Sequence, residues 1–173
     1  MKIKLVILDI DGVLTDGKKT YSKEGICISK TFCDKDFTAI KKLKSSNVQV
    51  CFCSGDPSIN EEIARNRNID FYNARNKDKC LFIDQFEKKY NCKPDEMLYM
   101  GDDIFDISLL EKVGLSVCPS DASKEVKDVC DLILESAGGN HAVLELVDYL
   151  QENSLIEKYN YKTLIEADAK EKF

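Results

Sequence analysis

The chain has 173 residues, of which 43% are hydrophobic and 32% charged, and its formal net charge is -6. These values are typical of one globular domain, and we expect a cytoplasmic protein. The acidic balance argues against a nucleic-acid binder, which needs a basic surface. No apolar run approaches the roughly 20 residues of a membrane-spanning helix, so we expect no membrane partner.

Short apolar segments alternate with amphipathic ones along the chain. This alternation predicts an α/β domain in which a parallel sheet is flanked by helices on both faces. In the helix predicted at 79–90, the spacing indicates that Leu81, Ile83 and Phe86 face the core. The predicted elements are a strand at 3–8, a hairpin at 20–31, a helix at 36–44, a strand at 48–53, a helix at 58–67, a strand at 70–72, a helix at 79–90, a strand at 97–100, a helix at 104–113, a strand at 115–117, a helix at 122–129, a strand at 132–134 and a helix at 141–150.

These elements make up a single domain, residues 1–150, without an internal repeat or a linker. The remaining segment, 151–173, is polar and lacks long apolar runs. A loose helix and a disordered tail are both open from the sequence, and we expect a tail that is ordered only by a partner.

The cysteine and histidine content excludes several classes of site. The eight cysteines are scattered and form no CxxC pair, which argues against zinc-ribbon and thioredoxin-like sites. We expect them to be small buried side chains in a reducing compartment. The single histidine, His141, is expected to begin a helix rather than to act in catalysis.

Polar residues recur where predicted strands end or helices begin. Asp9 and Asp11 follow the first strand directly. Because the carboxyl ends of parallel strands meet at one edge of a sheet, we expect the polar residues at such positions to converge. Carboxylates there would bind Mg²⁺, while a hydroxyl, an ammonium and backbone N–H groups would hold a phosphate. The other residues in such positions are Ser54, Gly55, Lys79, Asp102, Asp103 and Asp106.

The segments DIDGVLTDG and GDDIFD, together with Ser54 and Lys79, resemble the four motifs of the haloacid dehalogenase (HAD) superfamily of phosphohydrolases. The resemblance extends to about residue 150 and implies a Rossmann-like α/β fold. It implies that Asp9 is the nucleophile, which forms an aspartyl-phosphate, and that Asp11 is the general acid/base.

The same resemblance assigns the remaining site residues. Mg²⁺ would be held by Asp9, the backbone carbonyl of Asp11, and Asp102. Ser54, Gly55 and Lys79 would bind the phosphoryl oxygens. Asp103 and Asp106 would orient the metal site and Lys79.

The motif spacing indicates a capless enzyme. The 45 or so residues between Asp9 and Ser54 leave room only for a hairpin, a helix and a strand, whereas a cap adds a small domain. The segments GVLTDG and GGNHAVLELVDYL resemble one capless subfamily, the 3-deoxy-D-manno-octulosonate 8-phosphate (KDO-8-phosphate) phosphatases and their nonulosonate 9-phosphate relatives. This likeness implies a phosphatase for a 2-keto-3-deoxy sugar acid phosphate. It also implies a homotetramer in which a hairpin at about 18–31 projects towards neighbours.

Two positions depart from the octulosonate pattern. Asp56 stands where these enzymes carry an arginine, and an acid there is closer to the nononate 9-phosphate phosphatases. Leu144 replaces a second arginine. Arg65, Arg67 or Arg75 would then have to supply the missing positive charge.

Two alternative functions remain open from the sequence. The first is a non-catalytic tetramerising domain like that of the acylneuraminate cytidylyltransferases. Such a domain would not need the intact motif set, which therefore argues against it. The second is a capless phosphatase for a macromolecular substrate, since a large substrate would itself cover an open site.

Overall fold

The computed structural model describes residues 2–172, which fold as a sheet between two layers of helices. The strands are β1 (Leu5–Leu8), β2 (Thr20–Tyr21), β3 (Cys27–Ser29), β4 (Gln49–Ser54), β5 (Asp70–Asn73), β6 (Met97–Met100), β7 (Leu115–Cys118) and β8 (Leu132–Ile133). The helices are α1 (Asp34–Ser45), α2 (Ser58–Asn66), α3 (Ile83–Tyr90), α4 (Ile107–Leu110), α5 (Lys124–Lys127), α6 (Ala142–Glu152) and α7 (Tyr161–Asp168).

The main sheet has six strands in the order β5-β4-β1-β6-β7-β8, and every neighbouring pair is parallel. β1 lies in its interior, and all four of its residues are buried. Such a strand is covered on both faces, which is why it reads as an uninterrupted apolar run. The predicted fold class is therefore confirmed.

Alternate residues of β1 point to opposite faces and so belong to different cores. Val6 and Leu8 pack with α1, α2 and α6 on one face. Leu5 and Ile7 pack with α3, α4 and α5 on the other. The two apolar cores hold the central strands rigidly, and with them the loops that follow their carboxyl ends.

Strands β2 and β3 form a separate antiparallel hairpin, which is the only insertion between β1 and α1. Its side chains Tyr21, Ile26 and Ile28 are exposed. The chain carries no cap domain between β1 and β4, as its motif spacing predicts.

The helix predicted at 79–90 is divided in the structure. Residues Lys79–Phe82 form a 3₁₀ turn, and α3 begins only at Ile83. The prediction that Leu81 faces the core is wrong, because Leu81 is 67% exposed while Phe82 is 7% exposed. A 3₁₀ turn has 3.0 residues per turn rather than 3.6, so it shifts which side chains face inward.

The segment after residue 150 differs from the tail expected from its polarity. Helix α6 extends to Glu152, and α7 packs against α1 in the same chain. The Glu171 carboxylate, with a side chain only 3% exposed, lies 3.0 Å from Nη1 of Arg67. Ion pairs of this kind hold the polar helix without an extended apolar face. His141 is the residue before α6, as predicted, and takes a left-handed backbone conformation.

Within residues 2–172, none of the helices has both the length and the apolar character needed to cross a membrane.

Candidate active site

The carboxyl ends of β1, β4 and β6 open into one pocket of about 870 Å³. These strands are neighbours in the sheet, so the residues that follow them are brought together although they lie far apart in sequence. The backbone N–H of Asp9 donates to the carbonyl of Met100, which extends the β1–β6 pairing by one residue. Predicted site residues that line the pocket are Asp9, Asp11, Ser54, Gly55, Asp56, Arg75, Lys79, Asp102, Asp103 and Asp106.

Three carboxylates at the base of this pocket lie close enough to share one cation. Asp9, Asp102 and Asp106 each offer an oxygen, and these atoms lie within 4.8 Å of one another. Oδ1 of Asp102 is buried and accepts no hydrogen bond from any residue the structure describes. A buried, unpartnered carboxylate oxygen is costly, and a hard cation such as Mg²⁺ is the ligand that removes this cost.

The carboxyl of Asp102 shows how much negative charge is concentrated here. Burial, followed by the charges of Asp9, Asp106 and Asp103, raises its pKa to about 8. Burial also raises the pKa of Asp9, but the Lys79 ammonium opposes this and the value stays at about 6. Of these two carboxyl groups, that of Asp9 is therefore the more readily ionised.

Lys79 is the buried cation that balances these acids. Its ammonium donates to Oδ2 of Asp9 at 2.8 Å and to the hydroxyl of Tyr99 at 2.9 Å. It also contacts Oδ1 of Asp106. Burial by itself would lower the pKa of Lys79, but the charges of Asp9 and Asp106 outweigh it and hold the pKa above its usual value. Its position at the start of the 3₁₀ turn is fixed by Asp78, whose side chain accepts from the N–H of Cys80.

Asp106 organises the loop that carries Asp102. Its Oδ2 accepts from the backbone N–H groups of Asp102 at 2.8 Å and of Asp103 at 3.0 Å. Its Oδ1 accepts from the hydroxyl of Tyr99. Asp103 itself is exposed and accepts from the N–H of Ile104, so it caps the following turn.

The loop after β1 approaches Asp102 closely at a glycine. A Cβ on Gly12, whose φ is +86°, would lie 2.0 Å from Oδ2 of Asp102. Gly138 supports this loop from behind, since a Cβ there would lie 1.9 Å from the carbonyl oxygen of Gly12. Asp121 in turn accepts from the N–H of Gly138. Only glycine permits these approaches, and they bring the backbone of the first motif against the acid of the fourth.

Asp11 also lines the pocket, and its carboxylate lies within a group of charged side chains. The ammonium of Lys30 lies 2.8 Å from its Oδ1, and that of Lys19 lies 3.3 Å from its Oδ2. The buried amide of Asn60 also donates to Oδ2 of Asp11, and to the hydroxyl of Ser54. Asn60 thus links the first motif to the second.

Asp56 belongs to the same group of charged side chains and lies two residues before the start of α2. Its Oδ2 accepts from Lys19 and Lys30, both at 2.9 Å. Its Oδ1 accepts from the N–H and hydroxyl of Ser58. Burial would raise the pKa of Asp56, but the hydrogen bonds from Lys19, Lys30 and Ser58 outweigh it and hold the pKa well below its usual range.

Of the three arginines proposed from the sequence to replace the missing charge, only Arg75 lines the pocket. Arg65 pairs with Glu62 on the surface of α2. Arg67 is buried against the ring of Phe37, at 3.9 Å, and against Glu171. Both side chains are therefore engaged outside the pocket. Leu144 lies in the first turn of α6 and packs against the core on that face.

Sequence reasoning did not identify Lys19, Lys30, Asn60 and Tyr99 as site residues. For Tyr99 the sequence offers a weak indication, because its hydroxyl is the one polar side-chain group in the otherwise apolar strand β6. The two lysines lie at the base of the hairpin, where nothing in the local pattern predicts the direction of a side chain. The turn between β1 and β2 and the hairpin itself bring both ammonium groups back to Asp11.

Comparison with known proteins agrees with this geometry. Residues 62–147 match the family described as haloacid dehalogenase-like hydrolase. The 3-deoxy-D-manno-octulosonate 8-phosphate phosphatase of Salmonella typhi is 33% identical over 150 residues, which cover 86% of this chain and 79% of that protein. The chain belongs to the haloacid dehalogenase-like hydrolases and is a phosphatase of that family.

Solved structures narrow the likeness to one branch of the family. The cobalt-bound octulosonate 8-phosphate phosphatase of Haemophilus influenzae superposes with a TM-score of 0.82 at 32% identity, covering 88% of this chain and 90% of that one. The enzyme from Moraxella catarrhalis, in complex with magnesium, phosphate and KDO, gives 0.80 at 26% identity, covering 88% and 89%. The resemblance to the KDO-8-phosphate phosphatases noted in the sequence is thus confirmed.

Proposed function

We propose that this protein is a Mg²⁺-dependent phosphatase that hydrolyses a 2-keto-3-deoxy sugar acid phosphate through an aspartyl-phosphate on Asp9. The proposal rests chiefly on one observation, the approach of oxygens of Asp9, Asp102 and Asp106 to within 4.8 Å. Without that approach the site could hold neither the cation nor the phosphate beside the nucleophile.

Asp9 is oriented for attack. Its Oδ1 accepts from the N–H of Ile10 at 2.7 Å, and its Oδ2 accepts from Lys79. These two hydrogen bonds fix the carboxylate plane before substrate arrives, which lowers the entropic cost of reaching the transition state. The carboxylate oxygen bonds to phosphorus as the bond to the sugar oxygen breaks, and the electron pair leaves with that oxygen.

Asp11 serves as general acid and then as general base. It protonates the departing sugar oxygen and later removes a proton from the water that attacks the aspartyl-phosphate, so that Asp9 is regenerated and inorganic phosphate is released. Its contacts with Lys30 and Asn60 hold it at the mouth of the pocket, beside the buried nucleophile.

Asp9, Asp102 and the backbone carbonyl of Asp11 would hold Mg²⁺. The cation would neutralise the phosphoryl oxygens and so reduce their repulsion of the Asp9 carboxylate. The hydroxyl of Ser54, the N–H of Gly55 and the ammonium of Lys79 would bind the remaining phosphoryl oxygens. The N–H groups of the loop need no reorganisation to do so, since Ser54 ends a buried strand.

The relatives' names support an octulosonate 8-phosphate as substrate. The alternative within the same class is a nonulosonate 9-phosphate. It is supported by Asp56, an acid that stands where the octulosonate enzymes carry an arginine. Both substrates share a phosphate at one end and a carboxylate at the other.

We also propose that a homotetramer closes the site. The hairpin exposes Tyr21, Ile26 and Ile28, and the pocket rim exposes Ile104 and Phe105, the latter to 75%. Exposed apolar side chains on a projecting hairpin and on an open rim suit contact between copies. Eight free cysteines accord with a cytoplasmic location.

The function is tested by phosphate release from a panel of sugar phosphates, with Mg²⁺ and with EDTA. We expect metal-dependent release that is fastest with an octulosonate 8-phosphate or a nonulosonate 9-phosphate. Asp9→Asn removes the nucleophile and should abolish turnover. Asp84→Asn, a change at an exposed aspartate of α3 outside the pocket, is the matched control and should retain activity. No release from any of these phosphates, or full activity of Asp9→Asn, would contradict the proposal.

A further inference from the structure

Four basic side chains line the pocket, and two of them are already engaged by its acids. They are Lys19, Arg75, Lys77 and Lys79. Lys79 binds Asp9 and Asp106. Lys19 lies 3.3 Å from Asp11 and 2.9 Å from Asp56. Neither of these two lysines has a charge to spare for a second anionic group on the substrate.

Arg75 and Lys77 are in a different position. Both lie on the exposed loop between β5 and Lys79. Among residues 2–172, neither side chain forms an ion pair or a hydrogen bond with another residue of the chain, and the ammonium of Lys77 lies 5.7 Å from the centroid of the Phe82 ring. Their positive charges are therefore available to a ligand.

The loop that carries them is a formed turn. Oδ1 of Asn73 accepts from the N–H of Arg75 at 3.0 Å, and the carbonyl of Ala74 accepts from the N–H of Lys77 at 3.0 Å. Asn76 between them takes a left-handed backbone conformation, with φ of +58°. The two cations are thus presented two positions apart on one ordered turn, which limits the entropy lost on binding.

The other walls of the pocket disfavour a second anion. Asp56 and Asp103 line it as well, and the charge of Asp56 is directed at Lys19 and Lys30. A carboxylate placed beside Asp56 would be repelled by it, whereas one placed on the 74–78 loop would meet two free cations and one acid, Asp78. Oδ1 of Asp78 already accepts from the N–H of Cys80 and the hydroxyl of Ser108. The charge distribution therefore favours the 74–78 loop as the place where a second anionic group of the substrate binds.

We propose that Arg75 and Lys77 form the recognition site for the carboxylate of the substrate, at the end distant from the phosphate. This inference rests on the proposed function, because it names the residues that would recognise an acidic sugar phosphate. It assigns substrate specificity to the loop after β5, and it assigns Asp56 to holding the hairpin lysines rather than to substrate.

The test compares two substrates that differ only in that carboxylate. One is 3-deoxy-D-manno-octulosonate 8-phosphate, and the other is the same compound with the carboxylate reduced to a hydroxymethyl group. The enzymes are wild type, Arg75→Gln, Lys77→Gln and the double variant. Each single change removes a hydrogen bond to a charged group, so it should lower kcat/KM for the acid roughly 10- to 150-fold (about 1.5–3 kcal/mol), mainly through KM.

The reduced substrate should lose no more than about twofold in the same variants, because only its phosphate end is charged. Arg75→Lys keeps a cation and should restore much of the KM for the acid. Arg65→Gln, which removes an exposed arginine outside the pocket, should leave both substrates unaffected. All these positions are exposed, so the variants should fold as wild type does.

The outcomes separate this inference from the proposed function. Equal losses for both substrates would mean that the loop attracts the phosphate, and unchanged KM for the acid would mean that the loop does not bind substrate; either result overturns the inference. If wild-type enzyme hydrolysed neither compound in the presence of Mg²⁺, the proposed function would fail first.

Discussion

The ammonium of Lys30 lies 2.8 Å from Oδ1 of Asp11, although 19 positions separate the two residues. The side chain of Lys30 is completely buried, and it contacts Asp56 and Asn60 as well. A hairpin that projects from the domain is therefore attached at its base to the residue we assign as the acid/base. The position of the hairpin and the position of Asp11 depend on each other.

Lys30→Met is expected to lower both stability and turnover. The change removes one of the two lysines that the carboxylates of Asp11 and Asp56 share, and losing hydrogen bonds to charged groups costs about 1–3 kcal/mol each before relaxation. Urea denaturation should show a lower midpoint, and kcat should fall at least tenfold because Asp11 is no longer held. Lys23→Met, at the exposed end of the same hairpin, is the control and should change neither. Wild-type kcat in Lys30→Met would show that Asp11 is positioned without it.

Asp56→Asn is expected to reduce stability in a way that depends on pH. The pKa of Asp56 is lowered in the folded state, so its charge stabilises the fold above the ordinary carboxyl pKa of about 4. That stabilisation is lost only as the pH falls below this value towards the lower folded pKa. The difference in unfolding free energy between wild type and variant should thus be constant from pH 5 to 8 and should shrink below about pH 4. Denaturant titrations at several pH values measure it, and a difference that grew on acidification would contradict the assignment.

Asp102→Asn tests two effects of this carboxyl group: its destabilisation of the metal-free fold by charge repulsion, and its part in binding the cation. In EDTA, wild-type Asp102 has its pKa raised to about 8, so its contribution to stability falls as the pH rises from about 4 to 8. The asparagine variant lacks this dependence and should be at least as stable as wild type in EDTA at pH 8. Adding Mg²⁺ should raise the Tm of wild type but not that of the variant. Thermal denaturation with and without Mg²⁺ checks this, and an equal Mg²⁺-dependent rise in both proteins would place the cation elsewhere.

Gly138→Ala should impair catalysis without touching a catalytic residue. The new methyl group would overlap the carbonyl of Gly12, and overpacking of this kind typically costs about 1–3 kcal/mol. Because Gly12 lies against Asp102, the displaced loop should lower kcat and weaken the Mg²⁺ dependence together. Gly25→Ala is a useful comparison, since it has φ of +79° but no atom within 4 Å of the added Cβ, and it should leave kcat near wild type. Unchanged kinetics in Gly138→Ala would show that the loop tolerates the shift.

Much of the site is predictable because its residues occupy strand ends. Asp9, Ser54 and Asp102 follow apolar segments whose parallel order is implied by the alternation of elements, and the sheet brings them to one edge. The expectation that Leu81 faces the core is wrong because a 3₁₀ turn changes the helical phase, which composition does not reveal. For the segment after residue 150 the sequence favours a tail over a helix, because Glu171 reaches Arg67 across 104 positions and a pairing over such a distance has no local pattern.

The sequence alone therefore determined the order of the motifs, the parallel α/β sheet and the acids at its carboxyl edge, since apolar periodicity and strand-end position are local properties of the chain. Only the tertiary structure decided which cation meets which acid. Lys19 and Lys30 neutralise Asp56, Lys79 neutralises Asp9, and Arg75 remains free. Long flexible side chains reach partners through space, and their pairing depends on where the hairpin and loops return to the sheet.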